Sequence, residues 1–302
     1  MSTLIGIDWG TTTFRAYLYD QSAAHVDMIS SAAGIMQERT PDFEDVLYDQ
    51  LGAWLERYPK IPIIASGMIT SKQGWVETPY LPCPASLEDL GKTLTAFRLR
   101  EGRDIHFVAG ISQLQPAPNI MRGEETQMAG LAASKPTLAV LPGTHSKWIW
   151  MANERISHFA TFITGELFTA LTEHTILGRL IVDKKDPASF RLGVEQGYRS
   201  GAKTGGILSL LFGARAKPIL ELMQPEAVYD YISGLLLGTE VKEAAELGVE
   251  EGLEPLVCGS SALVSRYREA LQICGFRVSV AEQDTASKGL YMIAGEAGLI
   301  AR

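Results

Sequence analysis

The sequence predicts an α/β protein of two similarly built domains, and three observations carry that prediction. First, an apolar run ends in Asp8-Trp9-Gly10-Thr11-Thr12-Thr13, after which Phe14-Arg15-Ala16-Tyr17-Leu18-Tyr19 resumes strand composition. The chain therefore opens with a hairpin around a small polar turn. Second, the device recurs where Thr137–Leu141 runs into Pro142-Gly143-Thr144-His145-Ser146 and Lys147-Trp148-Ile149-Trp150-Met151 resumes as a strand. Third, each hairpin is followed by helices and strands in the same order. A chain of 302 residues is long enough for two moderate domains, expected as 1–134 and 135–302.

The elements follow in turn. Val26 to Met36 reads as a third strand, and Phe43 to Arg57 as a helix after the start signal Thr40-Pro41-Asp42. Ile61 to Ala65 is a short buried strand. Thr70 to Ala85 is irregular, with Gly74, Trp75, Pro79 and Tyr80, and its place after a strand end suggests a ligand lid or wall. Leu87 to Arg98 reads as a helix, Asp104 to Ala109 as a strand and Glu124 to Ser134 as a helix. In the second half, Phe190 to Leu211 and Pro225 to Leu247 are long helical stretches. Glu254 to Cys258 is a strand running into Gly259-Ser260-Ser261 and a helix to Ile273; Phe276 to Ala281 is a last strand, and Thr285 to Ile300 a terminal helix. On that helix Ala286, Gly289 and Gly295 suit close packing.

Composition excludes several classes. With 46% hydrophobic and 21% charged residues the chain is globular, and a net charge of −8 argues against nucleic acid as the main partner. There is no basic n-region at the start and no apolar run of membrane-spanning length. Cys83, Cys258 and Cys274 are odd in number and widely spaced, which suits reduced thiols in the cytoplasm. Gly91-Lys92-Thr93 lacks the leading glycine of a P-loop, Ser86 standing in its place, and no His-Glu-x-x-His spacing occurs.

The hairpins themselves suggest a nucleotide phosphate site. Gly10 lets backbone amides approach an anion, Thr11 and Thr12 can donate to phosphate oxygens, and Asp8 at a strand end can hold hydrated Mg²⁺.

The Asp-x-Gly-Thr-Thr-x-x-Arg start, the second Gly-Thr hairpin and the Cys258-Gly259-Ser260-Ser261 turn resemble the nucleotide motifs of the sugar kinase, heat-shock ATPase and actin superfamily. Leu141-Pro142-Gly143-Thr144-His145-Ser146-Lys147-Trp148, Thr164-Gly165-Glu166-Leu167-Phe168, Ser233 to Gly238 and Gly74 to Tyr80 narrow the resemblance to the 2-dehydro-3-deoxygalactonokinase family. The resemblance covers essentially the whole chain. It implies two actin-like, ribonuclease H-like domains around an interdomain nucleotide cleft, with ATP and Mg²⁺ as cofactors. It further implies ATP-dependent phosphorylation of the 6-hydroxyl of a keto-deoxy sugar acid, 2-dehydro-3-deoxy-D-galactonate.

Residue roles follow from that framework. Gly10, Thr11, Thr12 and Arg15 would meet the β- and γ-phosphates, unless Arg15 lies on the strand's outer face. Gly143, Thr144, His145 and Ser146 would cradle phosphates from the second hairpin, and Gly259 and Ser260 would let adenine lie against bare backbone. Leu141 stands where Asp8 stands in the first half, so the base must come from elsewhere than the second hairpin's strand end. Glu124 and Glu125, at the start of a helix resembling one in superfamily exopolyphosphatases, are candidates. Glu166 and His145 are the others. First-turn glutamates also serve as plain helix-dipole partners. Arg122, Lys72 and Lys147 are candidates for the acceptor carboxylate, and Trp75, Glu77 and Tyr80 for walling and orienting the sugar. Trp75 and Tyr80 could equally plug the core. The rivals are a kinase for a related sugar acid, a phosphatase or polyphosphate hydrolase of the same superfamily, and an ATP-gated scaffold. The oligomeric state, a homodimer included, stays open.

Overall fold

The computed structural model describes residues 3–36, 42–131, 135–180, 186–248, 253–282 and 284–301. Thr40 and Pro41 of the expected helix start, and Ser134 at the expected end of the helix from Glu124, lie outside the described residues.

Strands β1 (Leu4–Trp9) and β2 (Phe14–Tyr19) make the opening hairpin, and β3 (His25–Ser31) extends it. Helix α1 (Phe43–Arg57) begins at Asp42, whose carboxylate accepts from the amides of Glu44 and Asp45 as an N-cap. β4 (Ile63–Ser66), β5 (Tyr80–Pro82) and β6 (Ala85–Ser86) follow, the last two within the stretch expected to be irregular. The helix expected over Leu87 to Arg98 is instead α2 (Leu87–Lys92) and β7 (Thr95–Arg98). A capping box of Ser86 and Asp89 starts α2. Beyond Lys92, β-branched and aromatic residues bury alternate side chains, which is a strand pattern. β8 (Asp104–Phe107), β9 (Gly110–Gln113), β10 (Asn119–Met121) and α3 (Glu124–Leu131) complete the first half.

The second half runs β11 (Thr137–Leu141), β12 (Ser146–Ala152), β13 (Arg155–Phe162), α4 (Thr164–His174), α5 (Pro187–Tyr198), α6 (Gly206–Ile219), α7 (Val228–Glu246), β14 (Leu256–Val257), α8 (Ser261–Ile273), β15 (Ser279–Val280) and α9 (Thr285–Glu296). The single long helix expected over Phe190 to Leu211 is broken. Gly205 and Gly206 both adopt positive φ, which a continuing right-handed helix cannot accommodate.

The main sheets share one plan. In one, the order is β3-β2-β1-β4-β8-β7, with β1, β4 and β8 parallel; in the other, β13-β12-β11-β14-β15 follow one another, with β11, β14 and β15 parallel. Each thus places an opening hairpin beside two further parallel strands, a duplication. β10-β9-β5 form a small third sheet that no sequence pattern announced.

The chain forms two compact units, Met1–Pro136 with Met151–Phe159 and Glu282–Arg302, and Thr137–Trp150 with Ala160–Ala281. A single boundary at 134/135 puts the terminal helix with the second half, whereas in the structure it groups with the first unit. Packing explains why α9 sides with the first unit. A Cβ on Gly289 would overlap the carbonyl of Thr126 on α3, and one on Gly130 the carbonyl of Thr285, so the two helices cross with their backbones in contact. Leu290 is fully buried and the Tyr19 hydroxyl donates to the Ser287 carbonyl over 2.8 Å. Gly295, by contrast, has nothing within reach of an added Cβ.

In the second unit, α5 and α7 meet along a seam of glycines. A Cβ on Gly193, Gly197, Gly234 or Gly238 would run into the carbonyl of Tyr231, Leu235, Phe190 or Val194 respectively. This small-x-x-x-small pairing on both helices is why the core of Phe190, Val194, Leu237 and Val241 closes against Trp148 and Trp150. Alanine is favoured over glycine in a helix by about 1 kcal/mol, whereas forcing a methyl into a packed seam costs about 1–3 kcal/mol or more. Gly238→Ala is therefore expected to lower the urea midpoint. A midpoint at or above that of the parent protein would show that the seam tolerates a side chain.

Candidate active site

In the first unit the strand ends converge on Asp8. The β1–β2 register sets Arg15 directly opposite it, and the Arg15 guanidinium lies 3.3 Å from Asp8 Oδ2. Arg15 thus shares the aspartate's side of the sheet, and its side chain remains 47% exposed and that of Asp8 23%. Ser66 of β4 lies level with Asp8 in the parallel register. Gly67 then turns away at φ 96°, so close that a Cβ would stand 2.8 Å from the Trp9 carbonyl and 3.4 Å from Asp8 Oδ1. Gly123, at φ 107° before α3, would bring a Cβ to 3.3 Å from Gly67 Cα. Two strand carboxyl ends and one helix start therefore meet at bare backbone, the usual place for a ligand in an open α/β sheet.

Burial raises the pKa of Asp8 and the neighbouring Glu124 adds to the rise, with Arg15 opposing both. A carboxylate made uneasy in this way gains from a nearby divalent cation. Among the described residues no group of three or more His, Cys, Asp or Glu could hold a metal ion. Asp8, with Glu124 near it, offers one or two carboxylates of the kind that a Mg²⁺ ion, keeping much of its water, would share with substrate phosphates.

The turn itself differs from expectation at Gly10. Its N–H donates to Thr13 O over 2.9 Å, closing the turn. Its carbonyl and that of Thr11 accept from Ile35 and Met36. The Gly10 amide is thus not directed at an anion, while Thr12 stands exposed at the tip and Thr11 is half-buried.

The two glutamates of α3 part company. The Arg122 amide donates to Glu124 Oε2 over 2.9 Å, which leaves Glu124 half-buried beside Asp8. Glu125 instead turns inward: both its oxygens accept from the Gly123 amide, at 2.9 and 2.7 Å, and the Thr126 hydroxyl donates to Oε1. It is 1% exposed, and burial followed by the charge of Glu124 pushes its pKa up to about 7. Glu125 is a buried acceptor at its own helix start, whereas Glu124 is the more exposed of the two candidates.

Arg122 is likewise committed to the protein. One terminal nitrogen donates to Thr70 Oγ1 at 2.6 Å and Thr78 Oγ1 at 2.5 Å, the other to the Thr78 carbonyl, Nε to the Tyr80 hydroxyl, and the guanidinium lies 4.2 Å from the Tyr80 ring centroid. At 9% exposure it braces the 70–80 segment rather than offering its fork to a carboxylate. Trp75 takes the core-plugging place that the sequence left open for it. Its ring packs against Trp9, Phe43, Phe97 and Phe107 at the edge of the core. Lys72 and Glu77 are exposed on the same segment, and Tyr80 is 37% exposed.

In the second unit the Gly143-Thr144-His145 turn and the start of α4 form one piece. Glu166 N donates to Thr144 O over 2.9 Å, and a Cβ on Gly165 would overlap the Gly143 carbonyl. His145 Nε2 lies 2.6 Å from Glu166 Oε2, with both side chains about half exposed. An exposed pair of this kind adds little stability, but it orients an imidazole beside the turn. Gly259 follows β14, the nearest atoms to an added Cβ being those of Pro142 and Val264 at 3.7 Å or more, and Ser260 heads α8 without a side-chain cap bond. Two of the expected contacts are buried here. Ser146 is fully buried, its hydroxyl donating to Glu240 Oε1, and Lys147 is 5% exposed within β12. Neither is presented to a ligand from bulk solvent. Glu240 escaped the sequence reading, although a carboxylate on the apolar run after Gly238 was a visible signal.

Comparison with known proteins gives the family and the fold. The family model for 2-keto-3-deoxy-galactonokinase matches residues 8–293. A 2-dehydro-3-deoxygalactonokinase of Escherichia coli strain K12 is 35% identical over 93% of this chain and 94% of its own. A crystal structure from Sinorhizobium meliloti, provisionally named for the same activity, superimposes with a TM-score of 0.88 at 31% identity, over 97% of this chain and 98% of the other. The activator of 2-hydroxyisocaproyl-CoA dehydratase from Clostridium difficile, with bound ADPNP, shares the fold at a TM-score of 0.53 and 13% identity, over 99% and 96% of the two chains.

The raised pKa of Glu125 has a measurable consequence. Between the ordinary 4.5 and about 7 the folded protein holds a proton that the unfolded chain releases. Stability therefore falls as pH rises through that window, by on the order of 3 kcal/mol at full ionisation. Glu125→Gln, which cannot ionise, should flatten the urea midpoint between pH 5 and 8. An unchanged slope in that variant would place the titration elsewhere.

Proposed function

Because the chain belongs to the 2-keto-3-deoxy-galactonokinase family, we propose that it transfers the γ-phosphoryl group of ATP to the 6-hydroxyl of 2-dehydro-3-deoxy-D-galactonate. The O–P bond to the β-phosphate's bridging oxygen breaks, a new O–P bond forms at the alcohol, and the alcohol proton is released. The observation that carries this reading is the convergence of Asp8, Arg15, Gly67, Gly123 and Glu124 at the strand ends of a duplicated fold.

Phosphoryl transfer depends mainly on positioning and charge stabilisation. Thr11, Thr12 and Arg15 meet phosphate oxygens on the first hairpin, and Gly143, Thr144 and His145 supply donors on the second. Asp8 would hold Mg²⁺, and the ion would neutralise phosphate charge. Gly259 and Ser260 offer flat backbone to the adenine. Glu124 is the general base, its Oε2 oriented by the Arg122 amide, and Glu166 orients the His145 imidazole on the second hairpin. Lys72, Glu77 and Tyr80 face the sugar acid, with Arg122 holding their segment in shape. The three free cysteines suit a reducing, cytoplasmic setting for this reading; no helix among the described residues is long and apolar enough to cross a membrane.

The test is ADP release with Mg·ATP and three acceptor conditions: the galactonate-derived acid, its gluconate epimer, and none. Turnover that requires the galactonate acid is the expected result, and equal release without acceptor would contradict the reading in favour of a hydrolase. Glu124→Gln should lower kcat by about 10²-fold or more with little change in the KM for ATP. Asp8→Asn should raise the Mg²⁺ concentration needed for half-maximal rate.

A further inference from the structure

We infer that Glu240 is the positioning residue of the second phosphate hairpin, a role that rests on the kinase reading above. Its side chain projects from α7, is 2% exposed, and gathers donors from three other elements. Ser146 Oγ donates to Oε1 over 2.6 Å, the Trp148 indole N–H to the same oxygen over 2.8 Å, and the Tyr267 hydroxyl to Oε2 over 3.0 Å. The Thr164 hydroxyl adds a further hydrogen bond. These donors together meet the acceptor capacity of one carboxylate.

The identity of the donors is what matters. Ser146 is the residue directly after Gly143-Thr144-His145, and Thr164 opens α4 beside Gly165, which abuts the Gly143 carbonyl, and Glu166, which holds His145. Tyr267 stands on α8, the helix that Ser260 heads. One buried carboxylate therefore ties the exit of the phosphate turn, the start of α4 and the helix beyond Gly259 to α7. Burial opposes ionisation of Glu240 while the four hydrogen bonds favour it. Stability alone is a poor reason for such a group, since well-packed apolar side chains usually replace buried charged networks without loss. Fixed geometry is a better one: without Glu240, three buried donors lose their acceptor and the turn loses its anchor. The Ser146 hydroxyl then acts through Glu240 and makes no phosphate contact of its own.

A double-mutant cycle tests this. Ser146→Ala, Glu240→Gln and the double variant would be compared for kcat, the KM for ATP, the KM for the sugar acid, calorimetric Mg·ATP affinity and thermal midpoint. Each single variant is expected to weaken ATP about tenfold while leaving the KM for the sugar acid within about twofold, and the double variant should be no worse than Glu240→Gln alone. Additive effects would overturn the inference by showing that Ser146 meets the nucleotide directly. A lower thermal midpoint with unchanged ATP affinity would overturn it by reducing Glu240 to a stability role. Should Glu240→Gln fail to fold, Ser146→Ala and Trp148→Phe, each removing one donor, carry the same comparison. Should the parent protein bind Mg·ATP but transfer nothing, the kinase reading fails while the affinities still test the positioning role.

Discussion

Backbone contact between elements that carry no side chain at their crossing is the constraint on which the rest depends. In the second unit α7 can lie against α5 only because Gly193, Gly197, Gly234 and Gly238 interleave. That close approach delivers Glu240 to Ser146, Trp148 and Tyr267. In the first unit Gly130 and Gly289 do the same for α3 and α9, and Gly67 and Gly123 bring α3 down on the end of β4 beside Asp8. A methyl at any of these sites would separate elements whose spacing sets the position of a charged group. Core packing and site geometry are therefore one problem in this chain.

Charge is handled locally, as an acidic chain with a net charge of −8 that binds anions must handle it. The few cations near the strand ends are each held: Arg15 faces Asp8 across the hairpin, and Arg122 is locked among Thr70, Thr78 and Tyr80. Arg122 shows how a buried guanidinium can serve a site without touching its ligand. With its donors satisfied within the protein, it gives a long irregular segment one conformation and leaves Tyr80 at the surface. The inward turn of Glu125 has a related effect, because it leaves Glu124 as the carboxylate of α3 nearest Asp8.

Much of this was legible in the sequence. The paired hairpins, the parallel strands after them and the helix start at Glu124 follow from local patterns of strand composition, turn residues and caps, which tertiary packing did not override. So did the positions of Asp8, Gly143, Thr144 and Glu166 at strand ends and helix starts. What was not legible depended on contacts between distant segments. Nothing local says that Thr70 and Thr78 face Arg122, that Ser146 points inward to Glu240, or that Trp75 belongs with Trp9 and Phe107. The Gly10 amide closes its own turn, a choice between two acceptors that composition does not decide. The helix expected over Leu87 to Arg98 failed where period-two burial took over after Lys92. Chain order does not record which helix the glycines of the terminal helix fit, so its packing against α3 is not legible in the sequence.

The central claim is that the phosphoryl group reaches a sugar-acid alcohol rather than water. Phosphorus-31 NMR of a completed reaction with Mg·ATP and 2-dehydro-3-deoxy-D-galactonate tests it most directly. The account predicts ADP together with a new phosphomonoester resonance split into a triplet by the two protons of a primary carbon, in equal amounts. Inorganic phosphate in place of that resonance, with the sugar acid unchanged, would contradict it.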